Sequence, residues 1–270
     1  MTRRLPTESP ALLSFRGPDA VRYLNGQLTQ DVRDLGNTAL PSCVTDAKGR
    51  LQFLVSVFRG PEDDEIRIAG DSARAEELRA RLERYLIADD VEVEDLSGQW
   101  IRVHAEGPLD GAEMARDAGG LFGSGIDHWF SPDAEPPGEM IPDAEAESLR
   151  VAAGIPAWGR ELEEGMLPPE AGLDRTAISY HKGCYIGQEV LSRIKSIGRV
   201  NRRLARLSTS ATGPTSLHLA GRECGTLTSV DPAAAEDGTR LALGYLRKSA
   251  YEETVFESPE GHRTRLLGWA

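Results

Sequence analysis

The chain has 270 residues, of which 40% are hydrophobic and 27% are charged, and its formal net charge at pH 7 is −12. This length is typical of about two domains, and this composition is typical of a soluble globular protein. The acidic balance argues against a general nucleic-acid surface, which requires a basic footprint. No apolar run is long enough to span a bilayer. We therefore expect no direct nucleic-acid partner and no membrane partner.

The first half of the chain predicts a mixture of strands and helices. Apolar residues that alternate indicate strands, and apolar residues at helical spacing indicate buried helix faces. The predicted elements, in order, are a strand at 11–15, a helix opened by residues 17–19 with an apolar face at Val21, Leu24, Leu28, Val32 and Leu35, a strand at 43–45, a turn at 46–49, a strand at 50–59, a polar turn at 61–65, a strand at 65–69, a helix capped by residues 70–72, strands at 91–96 and 100–105, and a short helix at 111–118.

Two hairpins are expected among these strands. The first pairs residues 50–59 with 65–69, and the second pairs 91–96 with 100–105 through Gly98. This order of elements predicts an α+β fold with a mostly antiparallel sheet.

The second half begins with a proline-rich, acidic loop at 131–144 and a helix that starts near Ala144. Residues 165–172 predict irregular structure, because they contain two adjacent prolines. The remainder predicts a small barrel or sandwich, since short β-prone runs recur between turns. These runs are 203–207, 216–219, 222–229, 241–246, 253–257 and 264–267, and we expect the domain boundary near Val200.

One polar turn, S-Y-H-K-G-C-Y-I-G-Q-E-V-L-S-R at 179–193, carries the most chemistry. Gly183 and Gly187 permit sharp turns and close backbone contacts, and a helical pattern starts at Gln188. The positive helix end and the nearby Lys182 would favour ionisation of the Cys184 thiol. The alternative is that Cys184 is a small, buried and inert residue.

The spacing of the three cysteines predicts neither a disulfide nor a metal site. Cys43, Cys184 and Cys224 are far apart, without a C-x-x-C spacing, and the five histidines are scattered. No P-loop, dinucleotide-binding glycine pattern or H-E-x-x-H motif is present. The first ten residues lack the apolar segment of a signal peptide, so a reducing cytoplasm is expected.

The segment K-G-C-Y-I-G-Q-E at 182–189 resembles the signature of the YgfZ family. Members of that family are folate-binding relatives of the glycine-cleavage T-protein (GcvT) that act in iron–sulfur protein maintenance. The resemblance extends over most of the chain and is weakest at 106–145. It also includes the segments 17–32, 46–50, 149–162, 168–173, 225–229 and 242–246.

The resemblance implies an α+β, GcvT-like ring of three parts. In that arrangement residues 1–48 and 140–200 form one folate-binding subdomain, residues 49–139 form a ferredoxin-like subdomain, and residues 201–270 form a C-terminal β-barrel. The middle hairpins and the terminal barrel also follow from the strand pattern, whereas the ring follows from the resemblance alone.

The resemblance further implies tetrahydrofolate, or a one-carbon derivative, as cofactor and iron–sulfur proteins or their assembly factors as clients. Cys184 and Lys182 are the implied catalytic candidates. Arg150 and Glu161 match positions that face folate, although they could instead form an ion pair with each other. The full implied folate-binding set is Gln27, Thr29, Asp31, Arg150, Glu161, Gln188, Glu189 and Arg193.

One departure from the T-protein pattern bears on activity. T-proteins place an aspartate on the strand after the glycine-rich turn, where this chain has Phe53 and Leu54. The polar residues of that run are Gln52 and Ser56, which supply no carboxylate for proton transfer at the folate nitrogen. We therefore expect an accessory protein of iron–sulfur cluster assembly or repair and not a glycine-cleavage aminomethyltransferase. The alternatives are a folate-dependent one-carbon transferase and a scaffold for a protein partner.

Overall fold

The computed structural model describes residues 1–62, 64–198 and 200–270. The chain divides into two compact units. The first comprises Met1–Ile141 and Asp174–Ser192, and the second comprises Pro142–Leu173 and Arg193–Ala270. The predicted polar turn at 61–65 includes residue 63, which lies outside the described residues.

Among the described residues, the first unit contains a ten-stranded mixed sheet, the helices α1 and α2, and the start of a helix that continues into the second unit. The strand order is β10-β1-β7-β9-β8-β3-β4-β5-β2-β6, and most pairs are antiparallel. The strands are β1 Arg3–Arg4, β2 Ala11–Arg16, β3 Thr38–Thr45, β4 Leu51–Arg59, β5 Ile66–Gly70, β6 Glu92–Asp95, β7 Ile101–Ala105, β8 Met114–Ala118, β9 Ile126–Phe130 and β10 Glu139–Met140, and the helices are α1 Ala20–Gln27 and α2 Ala75–Glu83.

Apolar clusters bury both faces of β4. Phe53 and Val55 pack into a cluster with residues of α1 and α2, whereas Phe58 packs into a second cluster with Trp129, at 5.0 Å between ring centroids. Alternation along the strand sends successive side chains to opposite faces. Each fully buried side chain of this size contributes roughly 1.5–3 kcal/mol to folding. The predicted hairpin of β4 with β5 is confirmed by their antiparallel register.

Helix α1 ends earlier than the apolar pattern predicts. Leu28, Val32 and Leu35 are buried as expected, but Leu28 is already extended, with φ −105° and ψ 151°. The chain leaves the helix here because the Thr29 N–H donates to the Cys43 carbonyl, which joins it to β3. An apolar face therefore continues past the end of the helix into the segment that follows it.

The predicted hairpin of residues 91–96 with 100–105 is wrong. Strand β6 pairs with β2, and β7 pairs with β9 and β1. The Leu96 N–H donates to the Leu12 carbonyl, and the Ser97 hydroxyl accepts from the Leu12 N–H. These bonds keep the chain on β2 up to the turn, so the two alternating runs separate instead of pairing.

The short helix predicted at 111–118 is also wrong, because residues Met114–Ala118 form strand β8. This strand pairs antiparallel with β9 and parallel with β3. The Arg116 guanidinium donates to the carbonyls of Arg59 and Gly60 and so fixes β8 beside the end of β4. Tertiary pairing thus overrides a weak local helix preference.

The second unit contains the closed β-barrel that the strand spacing predicts. Its strands close in the order β11-β14-β13-β12-β15-β16 around apolar residues that include Leu207, Leu227 and Phe256. The elements are α3 Asp143–Ala153, α4 Gln188–Ile197, which begins in the first unit, β11 Arg202–Thr209, β12 Ser216–Leu219, β13 Arg222–Val230, β14 Arg240–Arg247, β15 Val255–Glu257 and β16 Arg263–Trp269.

Helix α4 starts at Gln188, as predicted from the helical pattern. Helix α3 ends at Ala153 and is capped by Gly154, whose φ of +74° suits a residue without a Cβ. Across the part of the chain that the structure describes, every helix is too short or too polar to cross a membrane.

Candidate functional site

The signature turn, residues 182–189, is held against the ends of α1 and β3. The Ile186 N–H donates to the Gly26 carbonyl at 3.2 Å, and the Thr45 hydroxyl donates to the Ile186 carbonyl at 2.6 Å. These two bonds fix the two peptide units on either side of the Ile186 Cα. The turn therefore has a defined position within the first unit.

A glycine-to-glycine contact makes the approach of this turn possible. A Cβ on Gly187, whose φ is +87°, would lie 2.6 Å from the Asp46 carbonyl oxygen and 2.8 Å from Gly49 Cα. Gly49 has a φ of +69° and faces the Gly187 carbonyl in return. The close backbone contact thus requires glycine at position 187, whereas Gly183 has open space around it.

The Cys184 thiol is exposed at the surface of this turn, and Cys43 and Cys224 are buried. Burial raises the pKa of Cys43 to about 12 and also raises the pKa of Cys224. The alternative of a buried structural residue therefore does not apply to Cys184. A reagent in solution reaches this thiol, which is a requirement for a reactive cysteine.

Lys182 points away from solvent and joins the turn to the segment after α1. Its ammonium donates to the carbonyls of Leu28, at 2.9 Å, and Gln30, at 2.5 Å. Burial lowers the pKa of Lys182 to about 7, although the charge of Asp31 opposes this shift. The structure thus shows an anchoring role that sequence reasoning missed, and the predicted role as electrostatic partner of Cys184 stays a prediction.

Thr29 and Asp31 lie on the same segment but differ in their surroundings. Thr29 is fully buried, donates to the Ala177 carbonyl at 2.6 Å and accepts from the Cys43 N–H at 2.8 Å. Asp31 accepts from the Arg33 guanidinium, which lowers the pKa of that carboxyl to about 2. Thr29 therefore links chain segments, and Asp31 carries a negative charge near Lys182.

The predicted residues of helix α4 lie close to the signature turn in sequence. The Gln188 amide donates to the Gly183 carbonyl at 3.4 Å and so bridges the turn. Glu189 and Arg193 are exposed, and Arg193 belongs to the second unit. Their predicted folate contacts remain predictions.

Arg81 of helix α2 was not predicted and organises the polar end of α1, β3 and β4. Its guanidinium donates to Gln52 Oε1 at 2.7 Å, to Gln27 Oε1 at 3.0 Å and to the Thr45 carbonyl at 2.8 Å. Burial lowers the pKa of Arg81. Leu78 and Leu82 of α2 are buried core residues, and their helical spacing gives no signal for a buried arginine between them.

Arg150 and Glu161 form an ion pair with each other in the second unit, which is the alternative to the predicted folate contact. Arg150 Nη1 lies 3.0 Å from Glu161 Oε2, and the Glu161 side chain is fully buried. The Ala157 N–H donates to the same oxygen, and the hydroxyls of Thr228 and Ser229 donate to Oε1. Both carboxylate oxygens are therefore engaged, and the predicted folate contact remains a prediction.

Metal ligands do not gather at this site. Within residues 1–62, 64–198 and 200–270, no group of three or more His, Cys, Asp or Glu side chains lies close enough to hold a metal ion.

Comparison with solved structures identifies the fold. The glycine cleavage system aminomethyltransferase T from Bartonella henselae superposes with a TM-score of 0.78 and covers 99% of this chain and 84% of its own length. The two sequences are 17% identical, so this likeness shows the fold alone. The chain thus has the T-protein fold, an α+β sheet region followed by a closed barrel.

Curated relatives bear on the family. A mitochondrial iron–sulfur cluster assembly factor IBA57 homolog from Neurospora crassa is 28% identical over 224 residues, which are 73% of this chain and 51% of that protein. The tRNA-modifying protein YgfZ from Klebsiella pneumoniae is 28% identical over 241 residues, which are 74% of this chain and 70% of that protein. These relatives support the resemblance of the chain to the YgfZ/IBA57 family.

No protein-family model matches the sequence. The chain spans about half the length of the IBA57 relatives from Neurospora crassa and Pyricularia oryzae, 51% and 55% respectively.

Proposed function

We propose that this chain is a tetrahydrofolate-binding accessory protein of iron–sulfur cluster assembly or repair, with Cys184 as its functional thiol. The observation that carries the proposal is the exposure of Cys184 on a turn held in place by Thr45, Lys182 and Gly187. A fixed turn presents an exposed thiol in one orientation, whereas a mobile loop would not.

The names of the relatives support this role. One group is named as iron–sulfur cluster assembly factors and another as tRNA-modifying proteins. Iron–sulfur proteins or their assembly factors are therefore the proposed clients. The proposed compartment is the cytoplasm, although the IBA57 relatives are named as mitochondrial.

Tetrahydrofolate is the proposed cofactor, and the polar groups of the first unit fit it unequally. Gln27 keeps an amide NH₂ group for a ligand, because its oxygen accepts from Arg81. Thr29 would have to release a buried hydrogen bond to contact a ligand. When bound, tetrahydrofolate would supply one-carbon chemistry, and Gln27 would orient it.

A one-carbon transferase is the second candidate, and the shared T-protein fold favours it. The absence of a carboxylate at Gln52, Phe53 and Leu54 of β4 counts against it, because proton transfer at a folate nitrogen needs an acid or a base. Incubation with tetrahydrofolate and methylated amine donors, followed by mass detection of methylene-tetrahydrofolate, decides between the two. Product formation at catalytic rates would favour the transferase.

The accessory role is tested by replacing the thiol. In a strain that lacks this gene, we expect the Cys184→Ala variant to restore little of the activity of iron–sulfur enzymes, whereas the wild-type chain restores it. The matched control is His181→Ala, which removes an exposed side chain from the same segment. Full rescue by the Cys184→Ala variant at equal protein levels would remove the thiol from the mechanism.

A further inference from the structure

A β-bulge turns Gln52 out of the regular register of β4. Val44 is paired with Phe53 and Thr45 with Leu51, so Gln52 is the extra residue between two paired positions. Bulges re-aim a side chain and are frequent next to functional sites. Here the bulge brings the Gln52 amide to the guanidinium of Arg81.

The guanidinium fixes which way two amides face. An arginine side chain has donors and no acceptor, so the Gln27 and Gln52 amides must turn their oxygens toward Arg81. Arg81 Nε lies 2.7 Å from Gln52 Oε1, and Arg81 Nη1 lies 3.0 Å from Gln27 Oε1. Each amide therefore directs its NH₂ group away from Arg81.

Burying the Arg81 charge among neutral acceptors costs folding free energy that packing alone does not require. Arg81 is 9% exposed, and its three acceptors are neutral oxygens from Gln27, Gln52 and Thr45. A buried charge without a hydrogen-bonded counter-ion is unfavourable, and an apolar side chain of similar volume would serve the core better. Local features of this kind are expected at functional sites.

The two NH₂ groups remain for a ligand. Within the described part of the chain, neither Gln27 Nε2 nor Gln52 Nε2 has a protein acceptor. Gly26 precedes Gln27 in the chain, and its carbonyl accepts from the Ile186 N–H of the signature turn. Thr45 accepts from Arg81 through its carbonyl and donates its hydroxyl to the Ile186 carbonyl. The paired donors thus adjoin the turn that carries Cys184.

We propose that Gln27 and Gln52 form a paired-donor site for the 4-oxo edge of a reduced pterin, and that Arg81 is the positioning residue that sets their orientation. This inference rests on the proposed folate binding and adds the edge that is recognised. The site presents two donors beside a stretch of β4, Gln52 to Leu54, that has no carboxylate. It therefore favours a ligand that offers acceptors there and disfavours one that offers a donor.

The test compares tetrahydrofolate with tetrahydroaminopterin, in which an amino donor replaces the 4-oxo acceptor. Calorimetric titration of the full chain is expected to show at least about tenfold tighter binding of tetrahydrofolate, since one mismatched hydrogen bond is worth about that factor. In the Arg81→Met variant the amides can rotate, so we expect this preference to fall toward one. The Gln52→Leu variant keeps Arg81 and should lose part of the preference.

The control is Arg79→Met, on the same helix, where Arg79 forms an exposed pair with Glu83. It should keep the wild-type preference. Equal binding of both ligands by the wild-type chain would overturn the paired-donor site and leave folate binding intact. A preference that survives in both Arg81→Met and Gln52→Leu would overturn it as well. Failure of the wild-type chain to bind either ligand would overturn the proposed function itself.

Discussion

At the scale of single residues, the environment of Lys182 differs most from what its sequence position suggests. The segment K-G-C places a cation two residues from the thiol, yet the ammonium is buried against the Leu28 and Gln30 carbonyls. The Lys182 Nζ also lies 5.4 Å from the centre of the Tyr185 ring. Lys182 thus stabilises the turn from its buried side, while Cys184 faces solvent.

The lowered pKa of Lys182 predicts a pH dependence of stability. In the folded chain this pKa is about 7, below its ordinary value of 10.5. Between these values the unfolded chain binds more protons, so the Lys182 contribution to the free energy of unfolding rises with pH. We expect the free energy of unfolding of the wild type, minus that of Lys182→Met, to rise by roughly 1 kcal/mol per pH unit from pH 7.5 to 9.

Urea unfolding of both proteins across that range measures this difference directly, and titrations shared by the two proteins cancel. A difference that stays constant with pH would show that Lys182 keeps an ordinary pKa in the folded chain.

At the scale of elements, the signature turn depends on one glycine more than on the other. Gly187 has a positive φ and lies against Asp46 and Gly49, whereas Gly183 has no neighbour within 4 Å of a built Cβ. We expect Gly187→Ala to lower the free energy of unfolding by about 1–3 kcal/mol or more, because it adds backbone strain and a clash. Gly183→Ala, the matched control, should change it by less than about 0.5 kcal/mol.

Urea denaturation of the two variants makes the comparison. Equal effects at the two positions would contradict the close packing of Gly187 against the turn at residues 46–49.

The elements that sequence predicted correctly are those whose local pattern and tertiary pairing agree. Strands β2, β4 and β5 and the barrel strands coincide with short β-prone runs bounded by turns. The hairpin of β6 with β7 was wrong because alternation specifies a buried face and not a partner strand. The contacts of Arg81 with Gln27 and Gln52 were missed because they depend on a β-bulge, which a single sequence does not mark.

At the scale of the whole molecule, the second unit is stabilised by a buried network around Glu161. Its carboxylate accepts from Arg150, Thr228, Ser229 and the Ala157 N–H. Removing one member of a buried ion pair leaves the other charge uncompensated. The network therefore ties helix α3 to strand β13 of the barrel.

We expect Glu161→Gln to lower the free energy of unfolding by roughly 3 kcal/mol. The control is Arg160→Met, at the exposed end of the same network, where Arg160 pairs with Glu147 and the loss should stay below about 1 kcal/mol. Thermal unfolding tests the structural role of Glu161, and folate titration of the same variants tests its predicted folate contact. Weakened folate binding at unchanged stability would favour the direct folate contact predicted for Glu161.

At this scale the chain has the T-protein fold and is similar to relatives named IBA57 and YgfZ, and the segment at 182–189 with its supporting segments predicted both likenesses. The ring arrangement and the subdomain boundaries at 48/49, 139/140 and 200/201 remain predictions. Residues 106–145, where the resemblance is weakest, contain the strand β8 that was predicted as a helix.

Binding of tetrahydrofolate tests the central claim most directly. Anaerobic calorimetric titration of the full chain with tetrahydrofolate is expected to give saturable binding at one site per chain. Heats no larger than those of dilution, with a chain shown to be folded by circular dichroism, would contradict the account and would favour a scaffold that recruits a protein partner without a small ligand.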